Sequence, residues 1–195
     1  MSQGPPRQSA TGQQGSVLAT IFRVAIGQRA AIARFGGTKR AFLYSMAPLT
    51  GLLLAGVLEG LSRGVGARVL IDLLVPLCAL LAPPVLSFEI ARLMGREDRW
   101  TRFATAFNWC QLALPVLGIV LLVILGIARS AGMPEASAAG LFILTLGIYG
   151  LWLHWFLARH ALALSGGRAA LLVLGVNLGT VLAVLGPRFL GSHFE

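Results

Sequence analysis

Between Glu89 and Gln111 an otherwise apolar chain gathers the residue types that can move protons, hold anions or bind a polar solute. Glu89 closes one apolar run, and Asn108 and Gln111 open the next. Arg92, Arg96, Glu97, Asp98, Arg99 and Arg102 fill the charged turn between them. An ionisable group inside a membrane span is expensive, and normally faces the bundle where it pairs or lines a water-filled path. Glu89, Asn108 and Gln111 therefore form the candidate intramembrane polar cluster, with two readings open. One is a proton- or substrate-linked site. The other is an interfacial carboxylate paired with Arg92 or Arg102, with Asn108 hydrogen-bonding between helices.

Three further sets carry less chemistry. Arg68 stands four residues before Asp72, so the two can neutralise each other across one helical turn. His154 lies between Trp152 and Trp155, where a hydrogen-bonded imidazole at headgroup level is expected. His160 is six residues on, a poor spacing for one metal, and no carboxylate or thiol completes a ligand set. Asn177 sits between Gly175 and Gly179, a pattern that permits close helix approach, either inside the chain or on a homodimer face. There is no GxSxG elbow, HExxH, CxxC, phosphate-binding loop or GxGxxG after a strand. No catalytic residue, metal or cofactor is expected, and the chain reads as a non-enzyme.

These residues must be positioned by membrane helices. Of 195 residues, 56% are hydrophobic and 12% charged, and the runs Ala113 to Ala128 and Ala169 to Leu185 carry no charge. With their flanks such runs approach the ~20 residues that cross a bilayer. The fold class is an all-α integral membrane protein with five transmembrane helices, at about residues 41–58, 69–93, 103–127, 138–157 and 169–189. The helix at 69–93 contains Pro76, Pro83 and Pro84, and each proline removes a backbone donor and obstructs the preceding turn. Residues 1–15 are expected to form a disordered tail, having no apolar run, and no signal peptide is expected. Residues 16–40 form a basic amphipathic segment: helical spacing puts Val17, Ile21, Val24, Ile32 and Phe35 opposite Arg23 and Arg34. This segment is expected as a helix on the membrane surface or as a basic flank of the first span. The transmembrane domain is 41–190.

The net charge of +9 and pI near 11.4 follow from topology rather than from nucleic acid, since no basic patch is interleaved with stacking aromatics. With the N-terminus cytosolic and the C-terminus outside, twelve of the sixteen basic residues fall on cytosolic segments, as the positive-inside bias requires. Expected partners are the bilayer, anionic lipid headgroups at this basic face, and a membrane-protein partner or second copy. Cys78 and Cys110 lie within apolar runs and read as small hydrophobes. Lys39 is the only lysine, and the abundance of Ala, Leu and Gly points to a GC-rich bacterial source and its inner membrane.

The succession PPVLSFEIARLMGREDRWTRFATAFNWCQLAL, residues 83–114, has an acidic-basic turn followed by an aromatic, an alanine and the Asn108-Trp109 pair. It resembles proteobacterial membrane proteins related to the Yip family, whose members share a cytosolic N-terminus and five spans. Eukaryotic Yip proteins carry an Asp-Leu-Tyr-Gly-Pro motif and engage Rab-type GTPases. The nearest string here, Asp72 to Pro76, lacks the Tyr and Gly and falls on the other side, so that role does not carry over. The resemblance implies a topology and no activity. The absence of catalytic sets and the basic cytosolic face point to a scaffold or accessory component; the alternative is a small transporter or channel subunit with its polar site at the second and third spans.

Overall fold

The computed structural model describes residues 10–62 and 68–191, excepting the side chains of 10–16, 52, 68–76 and 186–191. Every regular element among them is helical: α1 (Ala10–Ala25), a 3-10 helix (Arg29–Arg34), α2 (Lys39–Ser62), α3 (Arg68–Leu93), α4 (Glu97–Cys110), α5 (Ala113–Ser130), α6 (Glu135–Ala161) and α7 (Gly166–Gly191). Among the described residues, four stretches are long and apolar enough to cross a membrane: Lys39–Ser62, Glu97–Ser130 (α4 and α5 together), Glu135–Ala161 and Gly166–Leu185. The stretch expected as the second span, on α3, is not among these four, and the side chains of the first nine residues of α3 lie outside those described.

Apolar surface is left bare on a scale that water does not tolerate. Val116, Ile119, Val123 and Ile127 on α5, and Leu171, Leu174, Leu178 and Leu182 on α7, are each more than half exposed. Contiguous surface of this kind marks a membrane or partner interface, and with helices of these lengths it identifies a membrane protein.

The expected third span is divided. Pro115 has no N–H for the Gln111 carbonyl, and its ring crowds that carbonyl. The chain responds with shorter steps: Leu112 N–H donates to Trp109 O and Leu114 N–H to Gln111 O, both at 3.2 Å. The α-helix therefore stops at Cys110 and restarts at Ala113.

The amphipathic segment differs too. It begins at Ala10 and is interrupted at Gly27, which takes a left-handed φ of 87° that costs glycine little. Its apolar face does not lie free on a surface. Ile21, Val24, Ile32 and Phe35 are buried in the core with Phe103, Leu153, Phe156 and Leu157 of α4 and α6, and the Tyr149 hydroxyl of α6 donates to Ala25 O at 3.0 Å. Burying four large apolar side chains stabilises this docking by about 6 kcal/mol or more before ordering costs. The opposite side of α1, with Leu18 and Phe22, stays exposed.

The densest packing thus sits at one end of the bundle, where α1, the 3-10 helix, the start of α4, the end of α6 and the start of α7 meet. The turn from α6 to α7 is fastened there: Trp155 Nε1 donates to Gly166 O at 3.0 Å, and Leu164 N–H reaches back to Arg159 O at 3.0 Å.

Candidate functional site

Helix α4 supplies two side-chain hydrogen bonds that cross to neighbouring helices. Glu97 and Asp98 occupy its first turn, where carboxylates complement the helix dipole. One turn on, the buried run Phe103, Ala104, Thr105, Ala106 keeps its flanks slim, so neighbouring helices approach closely enough for short side chains to bond across. Trp100 Nε1 donates to Ser87 Oγ on α3 at 3.1 Å, and that hydroxyl donates to Pro84 O at 3.1 Å. The indole ring lies 5.2 Å from Phe42 and edge-on to Phe88 at 5.0 Å. Asn108 Nδ2 donates to Ser45 Oγ on α2 at 3.0 Å, and Ser45 Oγ donates to Phe42 O at 2.6 Å. Each serine thus passes a hydrogen bond from α4 to the backbone of a neighbouring helix. The Ser87 hydroxyl reaches the Pro84 carbonyl rather than those of Ala79 and Leu80, which Pro83 and Pro84 deprive of their donors.

The expected cluster of Glu89, Asn108 and Gln111 is not assembled. Asn108 is 5% exposed and faces Ser45, whereas the Glu89 side chain is 55% exposed and its nearest cation, Arg92, is 3.9 Å away and 63% exposed. The reason is helical phase. Ser87 and Ala91 are the buried positions of this part of α3, and Glu89, two residues from each, lies roughly 200° around the axis. Gln111 caps the C-terminus of α4 with its backbone N–H on Phe107 O. Arg102 does not reach toward Glu89 either, and opens instead on a basic recess described below.

A small cavity of about 10 Å³ does lie where α3, α4, α6 and α7 converge, with Ser87, Asn108, His154 and Asn177 among its lining residues. That is the room of one water-sized sphere. His154 Nε2 is buried with no hydrogen-bond partner, and its ring stands 4.7 Å from Phe107, so the expected hydrogen-bonded imidazole at headgroup level gives way to a ring packed between helices. Asn177 Nδ2 donates to Val173 O of its own helix at 2.8 Å.

The Gly175 and Gly179 stripe is filled from within the chain. A methyl group on Gly175 would sit 3.0 Å from Ile90 Cδ1, and one on Gly179 would sit 2.7 Å from Leu86 Cδ1, so α3 and α7 close on each other through these two glycines. The Arg68 and Asp72 pair lies outside the residues whose side chains are described. Among the described residues no three His, Cys, Asp or Glu side chains gather to hold a metal ion.

A polar concavity among the described residues was not signalled by any local motif. At the densely packed end, a recess of about 530 Å³ is lined by Arg29 of the 3-10 helix, Asp98, Arg99 and Arg102 of α4, and His160 of α6, with Gly37 at its edge. Three segments far apart in sequence supply these groups, and only their shared helix-end register could have hinted at it. Comparison with protein-family models, curated proteins and solved structures finds no match to this chain.

Proposed function

We propose that the chain is a non-enzymatic, five-span protein of a bacterial inner membrane, with its N-terminus in the cytosol, that serves as a scaffold or accessory component through its basic face. The observation that supports this best is how its polar groups are used. Within the bundle, Asn108, Ser45, Trp100 and Ser87 join helices to one another, and Thr105, Asn177 and Thr180 bond carbonyls of their own helices. The cations Arg29, Arg99 and Arg102 instead face outward around one recess. The likeness to Yip-related proteins around residues 83–115 agrees with a topology built for presenting a cytosolic face.

One observation favours a second reading, a small transporter or channel subunit: His154 Nε2 has no hydrogen-bond partner among the described residues, in the cavity that Asn108 also lines. Reconstitution separates the two. Proteoliposomes holding a pH-sensitive dye should dissipate an imposed gradient no faster than protein-free liposomes, for the wild type and for Asn108→Ala alike. A wild-type proton flux that Asn108→Ala abolishes in a folded protein would overturn the scaffold reading. The topology has its own test. In a Cys78→Ala, Cys110→Ala background, single cysteines at Ser2 and Ser192 should be labelled from opposite sides of the membrane, and labelling from one side removes the five-span arrangement.

A further inference from the structure

We propose that the recess between the 3-10 helix, the start of α4 and the end of α6 binds a phosphate group, carried by an anionic lipid headgroup or by a soluble phosphate compound. The charge balance comes first. Arg29, Arg99 and Arg102 face one carboxylate, Asp98, and the imidazole of His160 adds further donor capacity. Arg99 Nε is 3.7 Å from Asp98 Oδ2, and both side chains are exposed, a separation beyond a hydrogen bond and an exposure at which ion pairs contribute little. Arg29 and Arg102 make no ion pair or side-chain hydrogen bond among the described residues. Two guanidinium groups without such a partner, and a third held only by a loose pair with Asp98, thus line one recess.

A ligand must match that surplus. A carboxylate is served in full by one arginine fork, whereas a phosphate offers several charged oxygens to donors approaching from several sides. The recess volume of about 530 Å³ falls in the range of ordinary small-ligand sites. Its walls are mixed: Ile32, Ala33 and Ala161 supply apolar contact beside the cations, suited to the carbon atoms next to a phosphate ester. Gly37 lies beside the Arg102 side chain, 3.6 Å from Arg102 Nε at the position a methyl would take, which is ordinary van der Waals contact. Exposed Phe22 and Ile26 come shortly before Arg29 in the chain, which places lipid-compatible surface close to the phosphate-binding groups.

This inference deepens the reading of the basic face and rests on that face meeting a headgroup layer only where the phosphate belongs to a lipid. Two arms separate the sources. In the first, the full chain in phosphatidylcholine nanodiscs is titrated with inorganic phosphate; in the second, the chain in uncharged detergent is titrated with phosphatidylglycerol or phosphatidylcholine and bound lipid is read by native mass spectrometry. Saturable binding is expected in at least one arm, with phosphatidylglycerol preferred over phosphatidylcholine in the second. Arg99→Gln with Arg102→Gln should weaken it by about tenfold or more, as loss of charged hydrogen bonds implies. Arg129→Gln, at an arginine paired with Glu135 outside the recess, should leave it within twofold. Phosphate dependence in the first arm assigns a soluble ligand, and binding confined to the second assigns a lipid. No saturable binding in either arm, binding that the double variant leaves unchanged, or equal loss in Arg129→Gln overturns the proposal. Its failure would leave the proton-flux result standing, and a flux abolished at Asn108 would leave binding at Arg102 untouched.

Discussion

Asn108 Nδ2 lies 3.0 Å from Ser45 Oγ, and that hydroxyl lies 2.6 Å from the Phe42 carbonyl, so one amide on α4 is tied through a single side chain to the backbone of α2. Both residues are buried. Hydrogen bonds between membrane helices average about 0.6 kcal/mol in double-mutant cycles, with a maximum near ~1.7. A cycle of Ser45→Ala and Asn108→Leu, followed by detergent unfolding, should return a coupling in that range. Strictly additive single effects would mean the two side chains touch without bonding.

Leu86 fills the groove left by Gly179. Gly179→Val would bring a side chain within 2.7 Å of Leu86 Cδ1, and overpacking of this kind costs about 1–3 kcal/mol. Thermal unfolding should show that loss, and Leu86→Ala added to Gly179→Val should recover part of it. If Gly179→Val instead converts a dimer to a monomer at unchanged stability, the stripe is a contact between copies.

The helical membrane class is legible because length and apolarity are local: any stretch such as Gly166 to Leu185 declares itself. Facing is not legible in the same way. When lipid lies outside and apolar side chains lie inside, a helix carries little contrast between its faces, and the phase that buries Ser87 while exposing Glu89 leaves no mark in the pattern. Small residues are the better signal, since Ala104, Ala106 and Ala158 are all buried. The break after Cys110 was encoded by Pro115, but the long apolar run around it hides the interruption. The basic recess was beyond local reading altogether, because Arg29, Arg99 and His160 meet only after three helix ends pack together.

Glu89 is a test of that phase argument. Its carboxylate is 55% exposed and 3.9 Å from Arg92, and exposed pairs of this kind contribute from nothing to ~1 kcal/mol. Glu89→Gln should change unfolding stability by less than about 0.5 kcal/mol. A loss of about 2 kcal/mol or more would place Glu89 inside the bundle, paired and desolvated.

His154 should respond in the opposite sense from Asn108. Its Nε2 is buried without a partner, and an unsatisfied buried polar atom costs about 1–3 kcal/mol. Leucine at this position removes the orphaned nitrogen and still fills space against Phe107, whose ring is 4.7 Å from the imidazole. His154→Leu should therefore unfold at the same or a higher temperature, while Asn108→Leu, which breaks a bond already made, should unfold at a lower one. Should His154→Leu be the more damaging of the two, the imidazole has a partner that stabilises the folded state, and the cavity it shares with Ser87 and Asn108 is where that partner binds.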